Sequence, residues 1–306
     1  TGINLMVLNE NVLKFQRNIR DMHSIDFTVG FSYQWDQEEY NGGYARNSPS
    51  DKIYYAPSGM PTLGSTGWGD YQEPVAYQNY RSDMQEKALV SYFARLEYGY
   101  KQKYLLSLSF RRDGSSTFGE KHRWGTFPSV AGGWTFSEEE FVKNNLGWLS
   151  FGKIRTSWGR SGQHFSQNYL ALGIMNVGDN SYLGDGYIEP ADLYNDQLGW
   201  EETDQYDFGV DLDLFNHSLG ITFDYYYRYT NNLLDRVSLP SGNYIGYTSQ
   251  WRNAGAISNE GIELMIKYEK STPDWYWKVS VNAARNWNRF EKSYTGKDQI
   301  TENGIL

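Results

Sequence analysis

Apolar and polar residues alternate along most of this chain with a period of two. Between 24 and 34, Ile25, Phe27, Val29, Phe31 and Tyr33 fall on one face, and Ser24, Asp26, Thr28, Gly30, Ser32 and Gln34 on the other. Successive strand side chains point to opposite sides, so this split predicts a strand with one apolar and one polar face. The pattern recurs at 90–100, 104–111, 206–214, 219–229, 262–268 and 275–283. Less regular versions at 5–17, 123–136 and 149–159 bring the total to about ten strands. The only predicted helical turn lies near 137–141, where Ser137 is placed to cap and Glu140 to complete a capping box.

The connections between these strands alternate in length. Short links near 18–23, 101–103, 216–217 and 271–274, with a moderate one at 137–148, face longer ones at 36–86, 112–122, 160–204 and 231–258, and an open segment from about 289. Short and long connections therefore fall at opposite ends of one antiparallel meander. Transmembrane β-barrels have this asymmetry, and their strands run about 9–11 residues, longer than the 5–6 usual in soluble sheets. A soluble β-sandwich also alternates, so alternation alone leaves a soluble carbohydrate-binding β-sheet module open. The polar faces rich in Gly, Ser and Asp favour the barrel. So does the gathering of Tyr100, Tyr104, Trp134, Tyr227, Tyr229, Trp275 and Trp277 at strand ends.

Composition narrows the picture further. The chain has 306 residues, with 28 Lys plus Arg against 37 Asp plus Glu, and no Cys. Its net charge of -9 disfavours nucleic acid as a partner, and the missing cysteines exclude disulfides and thiolate chemistry. Mean hydropathy is -0.68, which argues against membrane helices but not against a barrel, where half of each strand is polar. The first residues lack the basic and then apolar pattern of a secretory signal, and the chain reads as an interior piece of a longer protein.

The charged strand positions share the polar face. Arg95, Glu97, Arg111, Arg155, Asp207, Asp211, Asp213, Asp224, Arg228, Glu263 and Lys267 are the candidate lining of a wet lumen. Asp207, Asp211 and Asp213 with Asp224 also invite comparison with glycosidase carboxylates. Cations at comparable positions favour a mixed-charge lining, so no catalytic residue is assigned. His23, His122, His164 and His217 show no metal-ligand or triad spacing. Asp179, Asp185, Glu189, Asp192 and Asp196 lack the EF-hand spacing, which leaves a calcium ion in a long loop as the sole cofactor expectation. Aromatics crowd the long loops: Tyr54, Tyr55, Trp68, Tyr71 and Tyr77, then Phe165, Tyr169, Tyr182, Tyr187 and Tyr194, then Tyr244, Tyr247 and Trp251. Such faces suit substrate, a protein lid, or packing of loop on loop.

Four stretches carry a resemblance. They are YLLSLSFRRDGSSTFGEKHRWGTFPSVAGGWTFSEEEF at 104–141, KIRTSWGRSGQ at 153–163, LGWEETDQYDFGVDLDLFNHSLGITFDYYYRYTNNLL at 198–234, and RNAGAISNEGIELMIKY at 252–268. In order and spacing they resemble the SusC/RagA family of TonB-linked outer-membrane proteins along nearly the whole chain. Gln163 stands where that family more often has Asn. The resemblance implies an all-β, antiparallel transmembrane barrel of the 22-stranded, plugged type, of which residues 1–306 form part of the C-terminal barrel domain. It also implies a plug domain, a TonB-contacting segment and final strands outside this stretch. It implies a SusD-like surface lipoprotein over the extracellular mouth, and import of oligosaccharides or peptides without an active site. A SusC-like barrel recruited for scaffolding stays open beside the importer. Within the stretches, Asp113-Gly114 is expected to form a tight turn, and Trp158–Gln163 to close a strand and bend into a loop.

Overall fold

A computed structural model describes residues 2–20, 22–46, 77–163, 168–169, 171–178, 187–239 and 249–293. The elements run in chain order as β1 (Gly2–Ile19), β2 (His23–Arg46), β3 (Tyr77–Tyr100), β4 (Tyr104–Ser115) and β5 (Trp124–Trp134). A 3-10 turn (Phe136–Glu138), α1 (Glu140–Asn145) and β6 (Leu149–Gln163) follow. Then come β7 (Ile174–Gly178), β8 (Tyr187–Asp192), β9 (Glu201–Leu214), β10 (Leu219–Asn231), β11 (Leu234–Ser238), β12 (Ser249–Asn253), β13 (Gly255–Ser271) and β14 (Tyr276–Ser293). Ten of the strands form one sheet in the order β1-β2-β3-β4-β5-β6-β9-β10-β13-β14. All ten match strands expected from the alternation. The pairs β7-β8 and β11-β12 are separate two-stranded hairpins inside the β6–β9 and β10–β13 excursions, and no alternation announced them.

The strands outrun their expected ends on the long-connection side. β2 continues to Arg46, β3 starts at Tyr77 and β6 runs to Gln163. Past the apolar band both faces of a strand are polar, so the period-two signal fades while the hydrogen-bond ladder continues. The Asp113-Gly114 expectation is overturned. Both residues are in β4, with Asp113 opposite Gly125 and Gly114 opposite Trp124. Gly114 is required because the Trp124 ring covers it: a Cβ there would lie 2.9 Å from the indole. Gly162 likewise makes room for the Phe127 ring and sits in β6, not in a bend. The cap expectation fails too. Glu139 is the N-cap residue of α1, and Ser137 is buried with its hydroxyl unpaired.

The contacts divide the chain into two compact units. One comprises Thr1–Leu8 and Gln34–Ala88, where Gln37 of β2 reaches Met84 of β3. The other comprises Asn9–Tyr33 and Leu89–Leu306 and holds the remaining strands.

In the larger unit, register places the apolar positions of neighbouring strands side by side. Leu212, Ile221, Ile266 and Val281 form one cross-strand row, and Val210, Phe223, Leu264 and Ala283 the next. These rows are not covered. Ile266 is 40% exposed and Val281 60%. A continuous apolar face without protein over it is the opposite of a soluble core and suits contact with lipid. Aromatics border the face. Tyr104 pairs with Tyr100 and Trp134 beside the short links, and Trp158, Tyr206 and Tyr227 form a row farther up. Eight residues separate Leu214 from Tyr206, which at about 3.3 Å per residue and a tilt of about 40° span about 20 Å. No helix among the described residues is long and apolar enough to cross a membrane.

Candidate functional site

The opposite face of the sheet is polar and tightly connected. Arg155 of β6 lies directly across from Gly209 of β9, which lies across from Asp224 of β10. With no side chain at Gly209, the guanidinium crosses β9. Its Nε donates to Asp211 Oδ2 at 2.8 Å, and its Nη2 reaches Asp224 Oδ1 at 2.7 Å. One row along, Asp207 accepts from Ser157 at 3.1 Å and from Gln205 at 2.9 Å. The Tyr226 ring covers Gly261 and its hydroxyl donates to Asn286 Oδ1 at 3.0 Å, with Arg228 over the ring at 5.3 Å. Small residues on one strand thus let long side chains on the next lie flat, which joins strands without filling the lumen.

The other candidate lining residues fall on this face as well. Arg95 pairs with Glu97, and Lys267 with Glu269 at 2.7 Å. Arg111 donates to Asp113 at 2.8 Å and to Ser91 at 2.9 Å. Asp213 meets His217 at 3.0 Å, while Glu263 lies opposite Asp224 and is exposed. Asp26, Glu97, Lys153, Arg155 and Asp207 border a trough of about 790 Å³ whose floor includes Ser107, Ala131 and Gly133. Among the described residues, no three His, Asp or Glu side chains are grouped to hold a metal.

At the long-connection end, residues 193–200 are the hub. Leu198 is fully buried with Ala171, and Leu234 and Trp251 pack against them. Trp200 packs at a tilt on Phe118 at 4.9 Å, meets Phe127 edge-on at 5.3 Å, and donates its indole N–H to the Arg123 carbonyl at 3.0 Å. Asn253 forks onto Gly199: its Oδ1 accepts from the Gly199 N–H at 2.8 Å, and its Nδ2 donates to the Gly199 carbonyl at 2.9 Å. The same Nδ2 reaches the Asn232 carbonyl at 3.0 Å. Asn195 and Gln250 add cross-links to the carbonyls of Trp251 and Tyr194. Gly119 abuts the Asp196 backbone and donates to the Leu198 carbonyl at 3.0 Å. Three excursions, β4–β5, β6–β9 and β10–β13, are thereby tied into one base. Sequence reasoning did not single out Leu198, Gly199, Trp200 or Asn253. The available signal was an apolar-Gly-Trp triplet and an Asn-Ala-Gly triplet just outside predicted strands.

Few of the loop aromatics fall within the described residues. Tyr169 has a left-handed backbone and is partly exposed, Tyr187 opens β8, and Trp251 lies in β12 against the Leu198 cluster. Tyr54, Tyr55, Trp68, Tyr71, Phe165, Tyr182, Tyr244 and Tyr247 lie outside the described residues, as do Asp179 and Asp185.

The short-link end has its own polar centre. The Glu139 carboxylate accepts from Tyr104 Oη at 2.7 Å, from Trp134 Nε1 at 3.3 Å and from Lys103 Nζ at 3.3 Å. The Tyr104 hydroxyl above all, then the indole and the ammonium, hold this carboxyl below the usual carboxylate range.

Known proteins share this architecture. Residues 7–304 match the family described as TonB dependent receptor-like, beta-barrel. The TonB-dependent receptor P39 of Formosa agariphila is 33% identical over 92% of the chain. The TonB-dependent receptor SusC of Bacteroides thetaiotaomicron is 35% identical over 76% of it. The chain spans 25% of the first of these relatives and 24% of the second. The structure of the RagAB peptide transporter superposes with a TM-score of 0.81 at 25% identity, over 99% of this chain and 32% of that one. The apolar outer face, polar inner face and alternating connections thus have a common origin: the chain belongs to the TonB dependent receptor-like β-barrel family of the outer membrane.

Proposed function

We propose that this chain is wall, lumen lining and extracellular mouth of a TonB-dependent importer of oligosaccharides or peptides. The observation that carries this reading is the inner wall. It carries interspersed carboxylates and cations, joined across strands in the Arg155–Asp211–Asp224 group and along single strands at Arg95–Glu97, Arg111–Asp113 and Lys267–Glu269. Such a mixed-charge wall stays wetted, as the lining of an aqueous passage does. It suits a passage through which cargo moves without being altered. The loop base around Leu198, Trp200 and Asn253 fixes where the β4–β5, β6–β9 and β10–β13 excursions leave the wall, at the end where cargo or a lid would meet it. The name SusC and the RagAB peptide transporter support a surface lipoprotein of the SusD type as that lid, and coupling to TonB through a part of the protein beyond this chain.

The experiment is reconstitution of the full-length protein with its lipoprotein partner, followed by calorimetric titration with oligosaccharide and peptide libraries. Saturable binding of one class by the pair, weakened by at least tenfold when the lipoprotein is omitted, is the expected result. Absence of binding to either class rules out the cargo half of the reading. A peptide hit without sugar binding would assign the chain to the peptide branch.

A further inference from the structure

On the outward face of β4, Tyr104, Leu106, Leu108 and Phe110 are followed by Arg112. On β14, Trp277, Val279, Val281 and Ala283 are followed by Arg285, Trp287 and Arg289. In both strands the first arginine comes eight residues after the aromatic that marks the short-link border. Eight residues at about 3.3 Å each, tilted by about 40°, rise about 20 Å, close to the top of an apolar band about 25 Å tall. A long stem lets a guanidinium at that level reach upward to the headgroups.

Both sites set an arginine against a tryptophan, across strands from β4 to β5 at Arg112 and along β14 at Arg285, where Glu260 of β13 stands opposite the Trp287 position. The Arg112 guanidinium lies over the Trp124 ring at 5.4 Å, and Arg285 over Trp287 at 5.0 Å. Trp124 is itself seated across Gly114, which fixes the plane on which Arg112 rests. A ring beneath the guanidinium supports it through cation–π attraction, and a planar guanidinium can grip a phosphate through two bonds. Among the described residues, no carboxylate lies within ion-pair distance of Arg112, Arg285 or Arg289. Arg160, at the same end of the outward face, is by contrast neutralised by Asp204 at 2.9 Å and Glu202 at 3.4 Å. Arg112 belongs to an inner strand flanked by β3 and β5, so a strand added beyond β14 leaves it uncovered.

We propose that Arg112 on Trp124, and Arg285 on Trp287 with Arg289 on the same face of β14, form phosphate-binding sites for phosphorylated glycolipid of the outer leaflet. Each tryptophan lies at the interface, and its arginine grips the headgroup phosphate while acyl chains run down the apolar rows below.

The test uses the full-length protein in nanodiscs doped with diphosphorylated lipid A, with dephosphorylated lipid A, or with neither plus inorganic phosphate. Bound lipid is counted by native mass spectrometry, and the melting midpoint is recorded in parallel. Wild-type protein is expected to retain the diphosphorylated lipid and to melt higher with it than with the dephosphorylated form. The triple variant R112Q/R285Q/R289Q is expected to lose about tenfold in retention while keeping the heat-resistant folded band on gels. If that variant does not fold, R112Q and R285Q are read singly, with Arg112→Lys expected to rescue only in part because it keeps the charge and loses the fork. Equal retention of the two lipids, or unchanged retention in the variants, overturns the proposal. Equal protection by inorganic phosphate assigns the sites to a free anion and overturns the lipid as the ligand. The readout needs no cargo, so failure of the importer reading would leave it intact.

Discussion

Gly209 shows how a single missing side chain organises the inner wall. An ideal Cβ at this position would lie 2.5 Å from Arg155 Cζ and 2.8 Å from Asp224 Oδ1. An ordinary strand glycine gains from replacement by alanine, by about 0.5–1 kcal/mol. Here Gly209→Ala must push the guanidinium off Asp224. The three partners are about a quarter to two-fifths exposed, so the ion pair itself contributes only about 1 kcal/mol after screening. With the steric displacement added, the substitution is expected to destabilise the full-length barrel by about 1–2 kcal/mol. Urea titration in lipid vesicles measures this. A stabilised Gly209→Ala variant would show that Arg155 has an equally good second position. The alternation in the sequence put Arg155, Asp211 and Asp224 on one face. It did not show that Gly209 joins them, because alternation fixes which face a residue takes but not which residue it meets on a strand joined through a long excursion, as β6 and β9 are.

Among the elements, the long strands were legible and the loop base was not. Strands such as β9 and β10 were readable because one face meets lipid and the other water, and each position must choose. The base formed by 193–200 is held by backbone contacts of Gly199 and Gly119 and by one amide fork, and such contacts leave no periodic trace. Asn253→Ala removes three hydrogen bonds and leaves the Gly199 backbone groups unmatched. The expected cost is about 1–3 kcal/mol, confined to the loop base, with the barrel melting unchanged. Hydrogen exchange should then rise at 194–200 and 232–234 together. Exchange rising at only one of the two would mean that the excursions are not coupled through Asn253.

The short link between β5 and β6 offers a pH test of the same kind. Its partners hold the Glu139 carboxyl below its unfolded value, so the contribution is fully present above that value, about 4.3. It is lost as pH falls through the lower, folded value. Trp134 reports on the corner directly, since its indole N–H donates to this carboxylate. Its fluorescence in wild-type protein should therefore change on acidification below about pH 4 and stay flat in Glu139→Gln. A transition of equal size in the variant would assign the change to another group.

At the scale of the whole molecule, the ten-stranded sheet leaves β1 and β14 each with one neighbour among the described residues. Strand edges in hydrocarbon carry N–H and C=O groups that nothing there can satisfy, at several kcal/mol for each. The outward face removes any soluble alternative, because rows such as Ile221, Ile266 and Val281 have no protein to cover them. The sequence made the membrane face legible through its alternation and the resemblance made the larger barrel legible, but no pattern inside these strands states how many more are needed to close it. A definite outcome follows for the 306-residue chain made alone and refolded into lipid vesicles. It should give no heat-resistant folded band and no protease-protected strands, and it should aggregate through its edges. The full-length protein under the same conditions should give both. A protected, discrete band from the isolated chain would mean that β1 and β14 pair with each other, or with a second copy, and that closure is already encoded in these ten strands.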